Sequence, residues 1–393
     1  MRKARTLMPA IPVLVLTLVT AAAAFAPPAP RARVALTPPM GWNSWNHFAC
    51  NVSEALIRET ADAMVSSGMR DAGYKYVVID DCWQVSRDPS GTIVADPQRF
   101  PHGIKALADY VHSKGLKFGI YTDAGTKTCQ GRPGTLGFEE RDAQTYARWG
   151  VDYVKEDWCN AGGLDAPTQY KKFRRALDRT GRAIVLSICE WGINQPWDWA
   201  PAVGNLWRTT DDIGDNWPSM LSNLDQSAQH STVARPGAWN DPDMLEIGNG
   251  GMSADEYRAH MSLWAMQAAP LIAGNDLRTM SEETKSILTN PEVIAVDQDS
   301  LGAQGTLVSS GPPDRQVWSK PLRDGSRAVV LLNRATSSDS ISVSFRRAGL
   351  RTDSATVRDL WRHTDLGGFR RSYTAVVPGH AAVMLRITGA GGR

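Results

Sequence analysis

The feature that most constrains this chain is a run of short apolar segments, each ending in carboxylates, amides or tryptophan. Tyr74–Ile79, Leu116–Tyr121, Val151–Val154, Ala183–Ile188 and Asn205–Thr210 have the length and β-branched content of buried strands. Helical patterns lie between them. Asn51 with Glu54 reads as a cap and its partner, followed by Leu56, Ile57, Ala61, Met64 and Val65 at helical spacing up to Gly68. Ile104, Leu107 and Val111 form a second stripe ended by Gly115, and Tyr170, Phe173 and Leu177 a third ended by Gly181. Ser253 with Glu256 reads as a capping box, and Ser281 opens a further short helix.

About eight such strand–helix units predict a (β/α)₈ barrel, which places its active site at the C-terminal ends of its strands. An open doubly wound sheet is the rival architecture, but no glycine-rich phosphate loop follows any strand. After Gly311-Pro312-Pro313 the helical period disappears. Val317-Trp318, Ala328–Leu332, Ile341–Phe345, Thr356–Leu360, Tyr373–Val377 and Ala382–Ile387 read as the strands of an antiparallel β-sandwich. The expected division is residues 1–34 as signal peptide and short N-terminal segment, 35–310 as barrel and 311–393 as β-sandwich domain.

The N-terminus carries Arg2, Lys3 and Arg5, then an apolar stretch from Ile11 to Thr20 and small residues from Ala21 to Ala26. This is the pattern of a secretory signal peptide, and the apolar run is short for a membrane span. An uncleaved anchor is the competing reading. Export would place the chain outside the cell, with no membrane association after cleavage and its five cysteines in an oxidising compartment. An odd cysteine count leaves at least one unpaired within the chain. The formal net charge of +2 gives no sign of a nucleic-acid partner. Nothing in the pattern distinguishes a monomer from a homo-oligomer.

The predicted strand ends carry the chemistry. In order they read Gly41-Trp42-Asn43-Ser44-Trp45, Asp80-Asp81-Cys82-Trp83, Tyr121-Thr122-Asp123 and Lys155-Glu156-Asp157-Trp158. Then come Cys189-Glu190-Trp191, Trp207-Arg208 with Asp211-Asp212, Trp239-Asn240-Asp241-Pro242-Asp243 and Asn275-Asp276. One acidic residue after a strand is commonly a helix cap. Acids at nearly every strand end suit a sugar instead: carboxylates accept hydrogen bonds from hydroxyls, tryptophan faces stack on C–H surfaces, and two carboxyls flanking a glycosidic bond can hydrolyse it. Asp80, Asp81, Asp241 and Asp243 could alternatively hold a hard cation. No histidine sits in a metal-ligand spacing and no G-x-S-x-G elbow is present, so the expectation is a hydrolase with neither metal nor cofactor.

These stretches, with Leu36-Thr37-Pro38-Pro39-Met40, Gly119-Ile120 and Ala124-Gly125, Pro236-Gly237-Ala238, Ala269-Pro270-Leu271-Ile272 and Val296-Asp297-Gln298-Asp299, resemble glycoside hydrolase family 27, the α-galactosidase or melibiase family. The resemblance covers residues 35–310 in the family's order. It implies a retaining exo-glycosidase that releases terminal α-D-galactose by double displacement, with Asp157 as nucleophile and Asp212 as general acid/base. Asp212 is preferred to its neighbour Asp211 because it lies four residues after Arg208 and directly before Ile213. The resemblance also implies substrate contacts from Trp45, Asp80, Asp81, Tyr121, Lys155, Glu190, Trp191, Arg208, Asp243 and Met244, with Cys129 and Cys159 alongside. It implies disulfides Cys50–Cys82 and Cys129–Cys159, which leaves Cys189 as the free thiol. Further expectations are that Lys155 depresses the pKa of Asp157, that Asp212 rests protonated, and that Glu190 accepts the sugar 2-hydroxyl. The alternatives are a β-L-arabinopyranosidase or an α-N-acetylgalactosaminidase of the same family, and a non-catalytic sugar-binding protein.

Overall fold

The computed structural model describes residues 34–311 and 314–390. The expected signal peptide lies outside the described residues, apart from Val34 at the end of that segment. Among the described residues no helix is long and apolar enough to cross a membrane.

Eight parallel strands make the core of the larger part: β1 (Met40–Asn43), β2 (Tyr76–Ile79), β3 (Lys117–Asp123), β4 (Tyr153–Asp157), β5 (Val185–Cys189), β6 (Leu206–Arg208), β7 (Trp239–Asp241) and β8 (Leu271–Ala273). Each pairs with the next in chain order from β1 to β7, and β1 also pairs with β8. The last gap is bridged just beyond β7, where Leu245 pairs in parallel with Ala273. Strand and helix alternate around this ring as the sequence predicts.

Side-chain alternation along the strands explains both the core and the site. Val77, Ile79, Phe118, Ile120, Val154, Leu186, Ile188 and Trp207 belong to the large core cluster that includes the apolar faces of the helices. Tyr76, Val78, Tyr153, Val185, Leu206 and Trp239 form a separate cluster that plugs the ring from within. Glycine is required at two inward positions: a Cβ on Gly41 would come within 2.4 Å of the Tyr76 carbonyl oxygen, and one on Gly119 within 2.7 Å of the Val78 side chain. Continuing the inward set toward the C-terminal ends gives Asn43, Asp80, Tyr121, Asp123, Lys155, Asp157, Cys189, Arg208 and Asp241. The apolar plug therefore gives way to a charged layer at the top of the barrel.

The helices follow their predicted stripes, with one change at a terminus. The helix Glu54–Ser66 is capped by Ser53, whose Oγ accepts the Leu56 amide, and not by Asn51. Glu54 is then the first helical residue, and its carboxylate pairs with Arg58 and His102. The capping box at Ser253 and Glu256 is present at the head of the helix Ala254–Gln267.

The C-terminal part is antiparallel: β9 (Thr306–Ser310), β10 (Arg315–Pro321), β11 (Arg327–Asn333), β12 (Asp339–Ser344), β13 (Ser354–Asp359), β14 (Thr364–Arg370), β15 (Ser372–Val377) and β16 (Ala381–Gly389). A six-stranded sheet in the order β9-β10-β11-β16-β13-β14 packs on the two-stranded sheet β12-β15. Val317, Val329, Leu331, Ile341, Val343, Leu385 and Ile387 fill the space between them. The alternate residues of β11, Ala328, Val330 and Leu332, join the barrel's cluster instead, where the sheet meets the helix Ala254–Gln267.

Candidate active site

Asp157 ends β4 with its side chain in the charged layer. Its Oδ1 accepts the Trp158 amide at 2.9 Å and its Oδ2 accepts the Tyr121 hydroxyl at 3.0 Å. Both bonds favour the charged carboxylate, but burial outweighs them and pushes the pKa up to about 6, against the field of Lys155. The expectation of a depressed value is therefore corrected: desolvation is the larger effect, and the direct partner of Lys155 is another acid. Lys155 Nζ lies 2.9 Å from Asp80 Oδ2, which also accepts the Asn43 amide at 2.7 Å. Desolvation works against the charge on Lys155, but Asp80 and the acids around it hold its pKa well above the ordinary value.

Asp81 is anchored by the loops around it. Its Oδ1 accepts the Cys82 amide at 2.7 Å and its Oδ2 the Gln130 amide at 3.0 Å. Burial raises its pKa in spite of these bonds. The structure contains the bridges Cys50–Cys82 and Cys129–Cys159. The first fastens the residue after Asp81 to the loop after β1. The second joins the loop after β3 to the end of β4, with Cys129 Sγ 3.4 Å from the Tyr121 hydroxyl. Cys189 is free and buried, 3.7 Å from a guanidinium nitrogen of Arg208.

On the other side, Arg208 is 3% exposed and holds two carboxylates, Asp212 Oδ1 and Asp243 Oδ1, each at 3.1 Å. Asp243 adopts φ 84° and accepts the Ile213 amide at 2.8 Å, so it fixes both the cation and the backbone next to Asp212. The Asp212 side chain is 68% exposed at the mouth. Burial raises its pKa, but Arg208 and Lys155 more than offset this, and the net value lies below the ordinary carboxylate range. The expectation that Asp212 rests protonated is corrected accordingly, because its partner is a guanidinium.

The remaining predicted contacts divide. Trp45 is half-buried at the rim, with its backbone amide on Asn43 Oδ1 at 2.8 Å. Met244 is 7% exposed. Trp191 is half-buried in a left-handed conformation at φ 57°. Glu190 departs from expectation. It is fully buried, with its two oxygens accepting the Gly192 amide at 3.1 Å and the Asn194 amide at 2.6 Å. It thus organises its own loop and offers no exposed acceptor to a sugar, and desolvation raises its pKa to about 7.

Three members of the charged layer were absent from the predicted contacts although the strand-end pattern contains them: Asn43, Asp123 and Asp241. Asp123 accepts the Gly125 amide at 2.7 Å and the Cys159 amide at 2.8 Å, and burial pushes it up to about 8. Asp241 accepts the Asp243 amide at 2.9 Å and is raised by burial to about 6. Inward alternation from the apolar plug would have found all three. The polar pair after β8 does not join them: Asn275 gives its carbonyl oxygen to the Trp42 indole, and Asp276 pairs with Arg278.

Among the described residues, Asp123, Cys129, Asp157 and Cys159 approach one another closely enough to suggest a metal. Their two sulfurs are bonded to each other, however, and a disulfide is not a thiolate ligand. What the layer offers is one buried carboxylate held by a phenol and an amide, one carboxylate at the mouth held by a guanidinium, and a wall of acids, a lysine and tryptophan suited to a polyhydroxylated ring.

Comparison with known proteins agrees with this chemistry. Residues 37–299 match the family model described as alpha galactosidase A, and residues 313–387 match that of the alpha galactosidase C-terminal beta sandwich domain. A probable alpha-galactosidase of Dictyostelium discoideum is 53% identical, with 90% of this chain and 93% of that protein covered. The crystal structure of alpha-galactosidase I from Mortierella vinacea superposes with a TM-score of 0.88 at 41% identity, covering 91% of this chain and 98% of that one. An alpha-galactosidase of Saccharomyces cerevisiae solved with raffinose gives 0.86 at 32% identity, covering 90% and 98%. Barrel and β-sandwich both match this one lineage, and the chain belongs to glycoside hydrolase family 27, the α-galactosidase family.

Proposed function

We propose that the protein is a retaining exo-α-galactosidase in which Asp157 attacks the anomeric carbon and Asp212 protonates the departing oxygen. The observation that carries this is the unequal placement of the two carboxyls. Asp157 is 5% exposed, while the side chain of Asp212 is 68% exposed at the mouth. A sugar seated against the inner acids meets Asp157 from within, and its glycosidic oxygen faces Asp212.

In the first step a carboxylate oxygen of Asp157 bonds to C1 as the C1–O bond breaks, and the proton of Asp212 goes to the leaving oxygen. In the second step Asp212 takes a proton from water, whose oxygen displaces the Asp157 ester with net retention. A bound glycoside covers the exposed face of Asp212 and removes its water. That opposes the pull of Arg208 and raises the pKa toward the protonated form the first step needs. Asp80, Asp81 and Lys155 face O4 and O6 of galactose. Arg208 and Asp243 bound the O2 side, and Trp45, Tyr121, Trp191, Met244 and the Cys129–Cys159 bridge complete the lining. The substrate partner is a carbohydrate with a terminal α-galactose. The two disulfides support secretion, the compartment the N-terminal pattern predicts.

The test is a panel of nitrophenyl glycosides with the product anomer read by NMR. The α-galactoside should be cleaved fastest and release α-galactose first, with the β-L-arabinopyranoside weak and the α-N-acetylgalactosaminide inert. In Asp157→Asn, kcat should fall by on the order of 10⁴-fold or more, as when a nucleophile is removed elsewhere. First release of β-galactose would exclude the double displacement.

A further inference from the structure

Asp123 ends β3 beside Asp157, its register partner on β4. The double displacement gives it no task, yet each of its oxygens is engaged. Oδ1 accepts the Gly125 amide at 2.7 Å and Oδ2 the Cys159 amide at 2.8 Å. Its carbonyl accepts the Thr135 amide at 2.8 Å and the Thr135 hydroxyl at 2.7 Å. The side chain is wholly buried. One of its carboxyl oxygens lies within 4.8 Å of an Asp157 oxygen and of both sulfurs of the Cys129–Cys159 bridge.

The amides that follow the nucleophile are divided between these two carboxyls. Trp158 N–H goes to Asp157 Oδ1, and Cys159 N–H goes to Asp123 Oδ2. The Ala124 amide closes the same turn on the Asp157 carbonyl at 2.9 Å. A backbone amide turned into the interior must find an acceptor. Without Asp123, the Cys159 amide would compete with Trp158 for the Asp157 carboxylate and turn it away from its present direction. We propose that Asp123 is a positioning residue for the nucleophile: by taking the Cys159 amide it fixes the turn after β4 and keeps the Asp157 carboxylate aimed at the anomeric carbon. The proposal rests on the assignment of Asp157 as nucleophile.

The ionisation of Asp123 agrees with a holding role. The titratable groups that face it are Asp157 and Glu156 on β4, Tyr121 on its own strand, Asp81 after β2 and Tyr170 on the helix Ala166–Arg179, all of them acids. Burial first, and then the charge on Asp157, push Asp123 up to about 8, above Asp157 at about 6. Two carboxyls this close do not readily ionise together. The field of Lys155 favours the charge on Asp157, so near pH 6 Asp123 is a neutral acceptor.

The test uses Asp123→Ala, which loses both acceptors, and Asp123→Asn, which keeps the shape and the neutrality but only one acceptor oxygen. A 5-fluoro-α-galactosyl fluoride reads the nucleophile directly, because it leaves a slowly hydrolysed ester that peptide mass spectrometry can locate. The labelling rate and kcat for 4-nitrophenyl α-galactoside should fall together, about 100-fold in the alanine variant and about tenfold in the asparagine variant, as when a reacting group is displaced by up to about 1 Å. The inhibition constant of free galactose should stay within about threefold of wild type, and the basic limb of kcat/KM should not move in Asp123→Asn. Labelling and kcat within about twofold of wild type overturn the proposal. So does a rise in the galactose inhibition constant as large as the fall in kcat, which would make Asp123 a support for the whole pocket. A basic limb displaced by a pH unit or more in Asp123→Asn would assign the effect to charge and overturn it as well. If Asp123→Ala does not fold, Asp123→Asn alone decides among these outcomes. A wild-type label on a peptide lacking Asp157 would overturn the assignment of the nucleophile itself, a separate result.

Discussion

Lys155 forms its direct ion pair with Asp80, reaching from β4 across β3 to the end of β2 at 2.9 Å. Asp157, two residues along the same strand, feels the ammonium only through its field. The cation therefore holds the sugar-facing acids in place first and tunes the nucleophile second. Lys155→Met should leave the buried Asp80 charge without its partner, at a cost of about 3–5 kcal/mol in stability. It should also lower kcat/KM for a galactoside by roughly 10- to 100-fold. Urea melts and steady-state kinetics on one preparation read both, and a variant as stable as wild type would mean that Asp80 is satisfied without the lysine.

The two carboxyls have pKa values in the reverse order from their proposed tasks. The nucleophile is raised to about 6, and the acid lies below the ordinary range. The productive free enzyme needs Asp157 charged and Asp212 protonated, so it is a minor species at every pH. Between the two pKa values its population is flat, and above about 6 it falls tenfold per pH unit. The pH profile of kcat/KM for raffinose should thus have its basic limb near 6. Tyr121→Phe removes a hydrogen bond that stabilises the charged Asp157 and should move that limb to higher pH. An activity that rises as pH passes upward through 6 would contradict this order.

Glu190 ties down the loop that carries Trp191 through the amides of Gly192 and Asn194. In Glu190→Ala both amides lose a buried acceptor, which should cost about 1–3 kcal/mol and loosen the O2 side of the site. Differential scanning calorimetry should show the lower Tm. Glu190→Ser should likewise relax the loop and so increase relative turnover of the α-N-acetylgalactosaminide. If the melting temperature is unchanged, the loop does not depend on this carboxyl.

The crowding of acids also predicts how stability depends on pH. Asp123 is raised to about 8, Glu190 and Glu246 to about 7, and Asp157 and Asp241 to about 6, in each case chiefly by burial. Between their unfolded values near 4 and these folded values, the native state binds more protons than the unfolded one. Stability must then fall as pH rises through that window. Buried His260, lowered to about 3, and His230, also lowered by burial, work in the opposite direction, but the acids raised by burial outnumber them. Tm should be highest near pH 4–5 and decline toward pH 8, and thermal melts across this range would expose a trend of the other sign.

Cys189 is buried beside Arg208 and not bridged. A thiol reagent should label one cysteine per chain in denaturant and none in the native state within the same interval. Non-reducing peptide maps should recover Cys189 unpaired. A bridge involving it would displace one of the two observed disulfides.

The sequence reveals most where apolar runs and polar ends alternate cleanly, as in Tyr76–Ile79 followed by Asp80-Asp81. It reveals less where neither signal is present. Strand β14, TDLGGFR, is glycine-rich and mostly exposed, so no alternation marks it, and it forms by pairing with β13. Strand β9 at the sheet edge was likewise not predicted. The helix beginning at Glu54 shows a different limit. Asn51 and Ser53 are both good caps, and only the backbone path selects Ser53. In the site, the strand-end residues were visible but their pairings were not. That Lys155 joins Asp80, and that Glu190 turns to its own loop, depends on strand order and loop geometry that residue identity does not specify.

Strand β11 is buried along its length, with Val329 and Leu331 inside the β-sandwich and Val330 and Leu332 in the barrel's cluster. The helix Ala254–Gln267 that meets it is likewise buried on nearly every side from Met261 through Met266. A gene cut just before β9 would leave the helix Ala254–Gln267 with a water-facing flank and remove the hydrogen-bond partner of the Ala265 carbonyl, Lys320 Nζ at 2.8 Å. Attempts to shorten the enzyme to its catalytic half should therefore yield aggregates, and the β-sandwich serves as the outer wall of the barrel.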